Sequence, residues 1–126
     1  MTTIKGLYIR GTSKTPEIDF GQGVIQISGR SIPEDAVAFY QPIVKWIEAY
    51  LSKPEKFTKV NFKIEYINSG SNRFIYSILK MLDESFKKGV NISISWYHEV
   101  DDDTIRGLGQ DLKTFLEVPV NMVVIN

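Results

Sequence analysis

Apolar and polar positions alternate along this chain in two distinct rhythms, and the switches between them mark out its elements. Ile4 to Arg10 sets Leu7 and Ile9 against other residues at every second place, the period of a strand. Turn residues follow in GTSKTPEIDFGQGVIQISG. They enclose a short extended piece at Glu17 to Phe20, a Gly21-Gln22-Gly23 turn and a strand at Val24 to Ser28, which together predict a hairpin. The rhythm then changes. Val37, Tyr40, Val44, Ile47 and Leu51 recur at the helical period of about 3.6 residues, so one face of this segment is expected in the core. Its start is placed at Ser31 or Ile32, with Pro33 near the first turn and Glu34 and Asp35 at the positive end. Pro42 lies inside the pattern, where proline removes a hydrogen bond at a cost of roughly 3 kcal/mol, and predicts a kink or break near Phe39 to Gln41.

Lys59 to Ile67 reads as a strand with Val60, Phe62, Ile64 and Tyr66 on one face. Arg73 to Lys88 reads as a helix whose stripe is Ile75, Ile78, Leu79, Leu82 and Phe86, stopped by Gly89 in the left-handed conformation. A strand at Asn91 to Tyr97 follows, with Ile92, Ile94 and Trp96 together. Asp102 to Leu116 is a weaker helix, because Gly107 and Gly109 each cost about 1 kcal/mol against alanine. Pro119 to Ile125 is so apolar (Val120, Met122, Val123, Val124, Ile125) that it predicts a strand buried on both faces. The expected architecture is α/β: one domain over residues 1–126, a mixed β-sheet with an N-terminal β-hairpin followed by αβαβαβ and right-handed crossovers.

Composition narrows the function classes. The 126 residues carry 15 Lys plus Arg and 15 Asp plus Glu, a net charge of zero with no basic cluster, which argues against nucleic acid as a partner. The absence of cysteine removes disulfides, thiolate metal sites and Cys nucleophiles, and fits a reducing cytoplasm. The N-terminal residues do not form a signal peptide, and no stretch reaches the ~20 apolar residues of a membrane span. A cytoplasmic protein without a membrane partner is expected.

The candidate chemistry lies at the corner YINSGSNRF. One capping residue suffices to start a helix, yet Asn68, Ser69, Gly70, Ser71 and Asn72 stand in succession. Two hydroxyls therefore sit at the positive end of a helix, Gly70 leaves the approach to them open, and a phosphate on Ser69 would meet helix N–H groups. The other motifs are weaker. Glu99 to Asp103 (EVDDD) places four carboxylates in five residues, but the spacing does not match a calcium loop. A solvated loop whose last Asp caps the next helix explains it better. His98, the only histidine, has no second His or Cys for a metal set and no Ser–Asp partnering, and is read as an exposed strand-end residue. Gly21-Gln22-Gly23 precedes a strand and is no dinucleotide fingerprint. No catalytic set, metal site or cofactor is expected.

The run VNFKIEYINSGSNRFIYSILKMLDESFKKGVNISISW resembles the signature region of STAS-type anti-sigma-factor antagonists. Across the chain, GTSKTPEIDF, GRSIPEDAVAFYQPIVKWIEAYL, YINSGS, ISISWYHE and the final VP strand together resemble the SiaC-type regulatory phosphoproteins of bacteria. That resemblance implies a STAS-like fold and a non-enzymatic switch. The phosphoacceptor would be Ser69, with Ser71 as second choice. A Ser/Thr kinase related to histidine kinases would add the phosphate and a PP2C-like phosphatase would remove it. The unphosphorylated protein would bind a signalling client of the diguanylate cyclase type. Contacts with partners are expected from Asn68, Gly70, Ser71 and Arg73 at the corner, and from Arg30, Ser31, Pro33 and Glu34 in RSIPED. Two departures stand out: Asn68 replaces the acidic residue of the antagonists, and Ser69-Gly70 replaces Thr-Ser. The alternatives are an anti-sigma-factor antagonist proper, a metal-dependent binder or enzyme using His98 and Asp101 to Asp103, and an assembly module without a switch.

Overall fold

A computed structural model describes residues 5–125; Ile4, expected to open the first strand, lies outside them. The elements are β1 (Leu7–Ile9), β2 (Glu17–Gly21), β3 (Val24–Ser31), α1 (Ala36–Ser52), β4 (Thr58–Ile67), α2 (Ser69–Lys87), β5 (Ile92–Glu99), α3 (Asp103–Phe115) and β6 (Val120–Ile125). The expected hairpin is present, and β1 pairs antiparallel with β2 to make it a meander. From β3 onward every pairing is parallel, and the six strands lie side by side in chain order. Each right-handed crossover steps the same way, so the three helices fall on one face of the sheet. Burial follows: Ile25, Ile27, Val60, Phe62, Ile92, Ile94 and Trp96 from the strands meet Ile43, Ile47, Ile78, Leu79 and Leu82 from the helices. The opposite face carries Asp19, Lys59, Glu65 and Asn121 in solvent.

Several expectations change. Helix α1 starts at Ala36, not at Ser31 or Ile32: Asp35 is the cap and accepts a hydrogen bond from the Ala38 amide at 3.0 Å. Ser31 instead ends β3, which runs past Ser28. Gly29, with φ of 115°, makes this extension workable. There the register slips, Gly29 facing Ile64 and Arg30 facing Tyr66, so Glu65 is the extra residue. The slip also ends the alternation of β4, and Tyr66, expected in the core, is 56% exposed. Pro42 does not break α1, which continues to Ser52. The carbonyl that loses its partner belongs to exposed Ala38, where water can replace the bond. The buried stripe of α1 is Tyr40, Ile43, Ile47 and Tyr50, with Val44 and Leu51 at its margin and Val37 in solvent.

Helix α2 begins at Ser69 rather than Arg73, and Gly89 closes it at φ of 104°. Strand β6 is not buried on both faces. It is the edge of the sheet, paired with β5 alone, and leaves Val124 and Ile125 exposed. Gly109, a cost by propensity, lies where α3 crosses the Trp96 indole. A Cβ there would collide with the ring, whose Nε1 donates to the Ile105 carbonyl at 2.8 Å. Among the described residues no helix is long and apolar enough to cross a membrane.

Candidate functional site

Strand β4 hands over to α2 through Asn68, whose backbone is extended (φ −89°, ψ 167°). Its side-chain oxygen accepts from the Ser71 amide at 2.9 Å, satisfying one of the open N–H groups of the first turn. Its own amide donates to the Ser31 carbonyl at 2.9 Å, and its Nδ2 to the Pro33 carbonyl at 3.4 Å. One residue thus caps α2 and ties it to the chain leading into α1. Capping makes no demand on either serine.

The two serines differ. Ser69 is the first residue of α2 and exposed. Ser71 is completely buried, and its Oγ has no hydrogen-bond partner. It lies by Tyr40, whose hydroxyl shares a 2.5 Å hydrogen bond with Ser31 and whose ring stacks on Phe74 at 5.3 Å. Burial raises the Tyr40 pKa above 10.0, and the hydrogen bond with Ser31 acts against that shift. A second acceptor at Ser71 is therefore out of a kinase's reach in this conformation, because its hydroxyl faces the core. Gly70 is less special than expected: it is helical, and a Cβ would make only ordinary contact, 3.6 Å from the Ala36 Cβ.

Ser69 stands where two concavities meet. A cleft of about 570 Å³ opens toward α3, lined by Glu65, Tyr66, Ile67, Asp102, Ile105 and Leu108 beside the corner itself. A groove of about 450 Å³ runs down α2 past Arg73, Tyr76, Ser77 and Lys80. The RSIPED segment borders the same corner. Arg30 is exposed, its guanidinium 5.5 Å from the centre of the Tyr66 ring and its Nε donating to the Ser13 carbonyl at 3.2 Å. Glu34 is exposed and paired with Lys14 at 3.1 Å. Ser31 and Pro33 are buried. Of the residues expected at a partner contact, Arg30, Glu34, Gly70 and Arg73 reach solvent, Asn68 is half-buried, and Ser31, Pro33 and Ser71 support them from below.

The acidic loop has other commitments. Asp102, not Asp103, caps α3, accepting from the Ile105 amide at 3.0 Å, while Asp103 pairs with Arg106. His98 is buried rather than exposed, since it extends the inward row of Ile92, Ile94 and Trp96, and its Nδ1 lies 3.0 Å from the Glu99 carbonyl. Among the described residues no three His, Cys, Asp or Glu side chains converge on a cation position. The cleft and the groove are what sequence reasoning missed. The signal available for the groove was the spacing of Ser69, Arg73, Tyr76 and Lys80 along one side of α2.

The frame is a six-stranded mixed sheet with three helices, and an exposed serine opens the second of them. The family model for SiaC family regulatory phosphoproteins matches residues 9–125, and the chain belongs to that family. An uncharacterized protein of Pseudomonas aeruginosa strain UCBPP-PA14 is 24% identical over 115 residues, covering 90% of this chain and 91% of that protein. The fold is that of Pseudomonas aeruginosa SiaC, with a TM-score of 0.89 at 21% identity over 97% of this chain and 100% of that one. A chain in the crystal structure of the diguanylate cyclase SiaD in complex with its activator SiaC matches with a TM-score of 0.88 at 23% identity, covering 94% of this chain and 99% of that one.

Proposed function

We propose that this regulatory phosphoprotein is a non-enzymatic switch in which Ser69 is the phosphoacceptor and the unphosphorylated corner binds a diguanylate cyclase. A Ser/Thr kinase of the histidine-kinase-like type transfers the γ-phosphoryl group of ATP to Ser69 Oγ. ADP leaves, and the hydroxyl proton passes to a base on the kinase. A PP2C-like phosphatase hydrolyses the ester and restores the hydroxyl. We place the cycle in the cytoplasm, where ATP is the donor.

The observation that carries this reading is the division of labour at the corner. Asn68 does the capping, which leaves Ser69 exposed and free of structural duty, with a cleft on one side and a groove on the other. Phosphate adds about −1.5 to −2 charges and a strong hydration shell there. Desolvating that group opposes docking, so phosphorylation releases the client. Family membership and the SiaD–SiaC complex of a relative support the client's class.

The test is co-expression with the kinase, followed by intact-mass and fragment analysis. One added phosphate on Ser69, lost in Ser69→Ala, is expected. A phosphate mapped to another residue, or persisting in Ser69→Ala, contradicts the assignment.

A further inference from the structure

The outer side of α2 carries more than the corner requires. Ser69, Arg73, Tyr76 and Lys80 succeed one another along it and line one groove. Arg73 is exposed and, among the described residues, has no carboxylate within ion-pair distance; its guanidinium lies 5.3 Å from the centre of the adjacent Phe74 ring. Lys80 is likewise exposed and unpaired among those residues, whereas Lys14, Lys87 and Arg106 are all engaged. The cleft on the other side of Ser69 has the opposite character, with Asp102 at its margin and no basic side chain. Ser69 stands on the boundary between a basic groove and an acidic cleft.

We propose that the α2 groove receives an acidic segment of the client, and that phosphate on Ser69 releases this segment by occupying Arg73 from within. The proposal rests on Ser69 being the phosphoacceptor. Without phosphate, Arg73 and Lys80 present two free cations to carboxylates, and Tyr76, 41% exposed, offers an apolar contact between them. Phosphate on Ser69 lies one turn from Arg73 on the same helix face. Asp102 repels it from the cleft, and the guanidinium fork receives its oxygens in a bidentate pair. That pairing is intramolecular and so outcompetes a carboxylate on another molecule. The client then loses its cation and faces like charge, which adds a repulsive element to the lost attraction.

Two measurements test it on the full chain, with phosphoserine incorporated at position 69. The first is a ³¹P NMR titration without any client. An ordinary phosphoserine has its second pKa near ~6, and the pair with Arg73 lowers it. Arg73→Gln is expected to raise the value by about half a unit or more, whereas Lys45→Gln, on α1, leaves it unchanged. The second is a binding cycle against a SiaD-type diguanylate cyclase, with circular dichroism as folding control. Arg73→Glu is expected to weaken binding of the unphosphorylated protein by about tenfold or more, and binding weakens with added salt. Phosphate weakens the wild type strongly and Arg73→Gln by a clearly smaller factor, because the competition for Arg73 is gone while the repulsion of the client's carboxylates remains. An equal phosphate effect in both backgrounds, with an unmoved ³¹P pKa, overturns the role of Arg73 and leaves Ser69 as the switch. No phosphate effect even in the wild type instead refutes the switch at Ser69. Self-association through these residues in place of client binding also overturns the proposal.

Discussion

The β4–α2 and β5–α3 corners share a plan and differ in charge. Each ends a parallel strand, caps the next helix from a side chain three residues ahead, and lines the same cleft: Asn68 to the Ser71 amide at 2.9 Å, Asp102 to the Ile105 amide at 3.0 Å. At α3 the cap is a carboxylate and the first helical residue, Asp103, is another, itself paired with Arg106. The positive end of that helix already has its counter-charge. At α2 the cap is a neutral amide, the first residue is Ser69, and the first turn holds no acid. A neutral cap starts a helix nearly as well as an acidic one while leaving its dipole without a counter-charge, which the proposed phosphate on Ser69 would supply. One corner carries its own counter-charge and the other does not.

The largest expected effect breaks the structural corner. Gly109→Ala drives a methyl into the Trp96 ring and should cost about 1–3 kcal/mol or more by urea unfolding. Gly107→Ala, two residues earlier, has nothing within 4 Å of the new Cβ and should stabilise by up to about 1 kcal/mol. Equal effects from the two would mean α3 does not cross Trp96 as described.

The caps sharpen the comparison directly. Asn68→Ala should cost about 1–2 kcal/mol, because it loses the cap and the bond to Pro33 together. Asn68→Asp makes the two corners alike. Its helix-dipole gain of about 0.3–1 kcal/mol is offset by the lost Nδ2 donation to the Pro33 carbonyl, so stability should change by less than about 1 kcal/mol, while the dianion of a phosphate on Ser69 becomes less favourable, read as a higher ³¹P pKa. Exchanging Asp101 and Asp102 together for Asn keeps a good cap on α3 and should stay within about 0.5 kcal/mol. A metal-dependent change in melting temperature lost in that double variant would favour the metal-binder alternative.

The support beneath the α2 corner has a pH signature. Tyr40 is a neutral acid whose folded pKa is raised by burial, so the folded state holds its proton where the unfolded chain releases it. Its contribution is complete below pH 10.0, the ordinary tyrosine value, and declines as pH rises toward the folded pKa. The pair of Lys87 with Asp83 weakens in the same alkaline range, since its raised pKa comes first from that carboxylate. Tyr40→Phe should therefore flatten only part of the alkaline loss, at a cost of about 1 kcal/mol near neutrality for the bond to Ser31. An unchanged alkaline limb would mean that Tyr40 is not buried.

Strongly periodic stretches are legible from sequence alone: the stripe of α2, the inward row of β5 and that of β4 as far as Ile64 lie where the pattern puts them. Errors arose where tertiary context overrides local rules. Ser31 and Pro33 satisfy the chemistry of a helix start, but a register slip at Gly29 lets β3 continue through Ser31 and pushes Tyr66 into solvent. An apolar β6 looked central and is an edge. Asp83, unremarkable on a helix, is buried and accepts the amides of Glu117 and Val118, both at 2.9 Å, a long-range duty that carries no local signal. At the site, the resemblance ranks Ser69 before Ser71, but nothing in the local sequence separates their burial. Their difference in burial follows from helical phase, and that required the true start of α2.

The central claim is that charge on Ser69 decides whether the client binds. Isothermal titration of a SiaD-type diguanylate cyclase against wild type, Ser69→Ala, Ser69→Asp and authentically phosphorylated protein tests it most directly. Ser69→Ala should bind like the unphosphorylated wild type, Ser69→Asp more weakly, and the phosphorylated protein weakest, all with native circular dichroism. Equal affinity across the four would contradict the account.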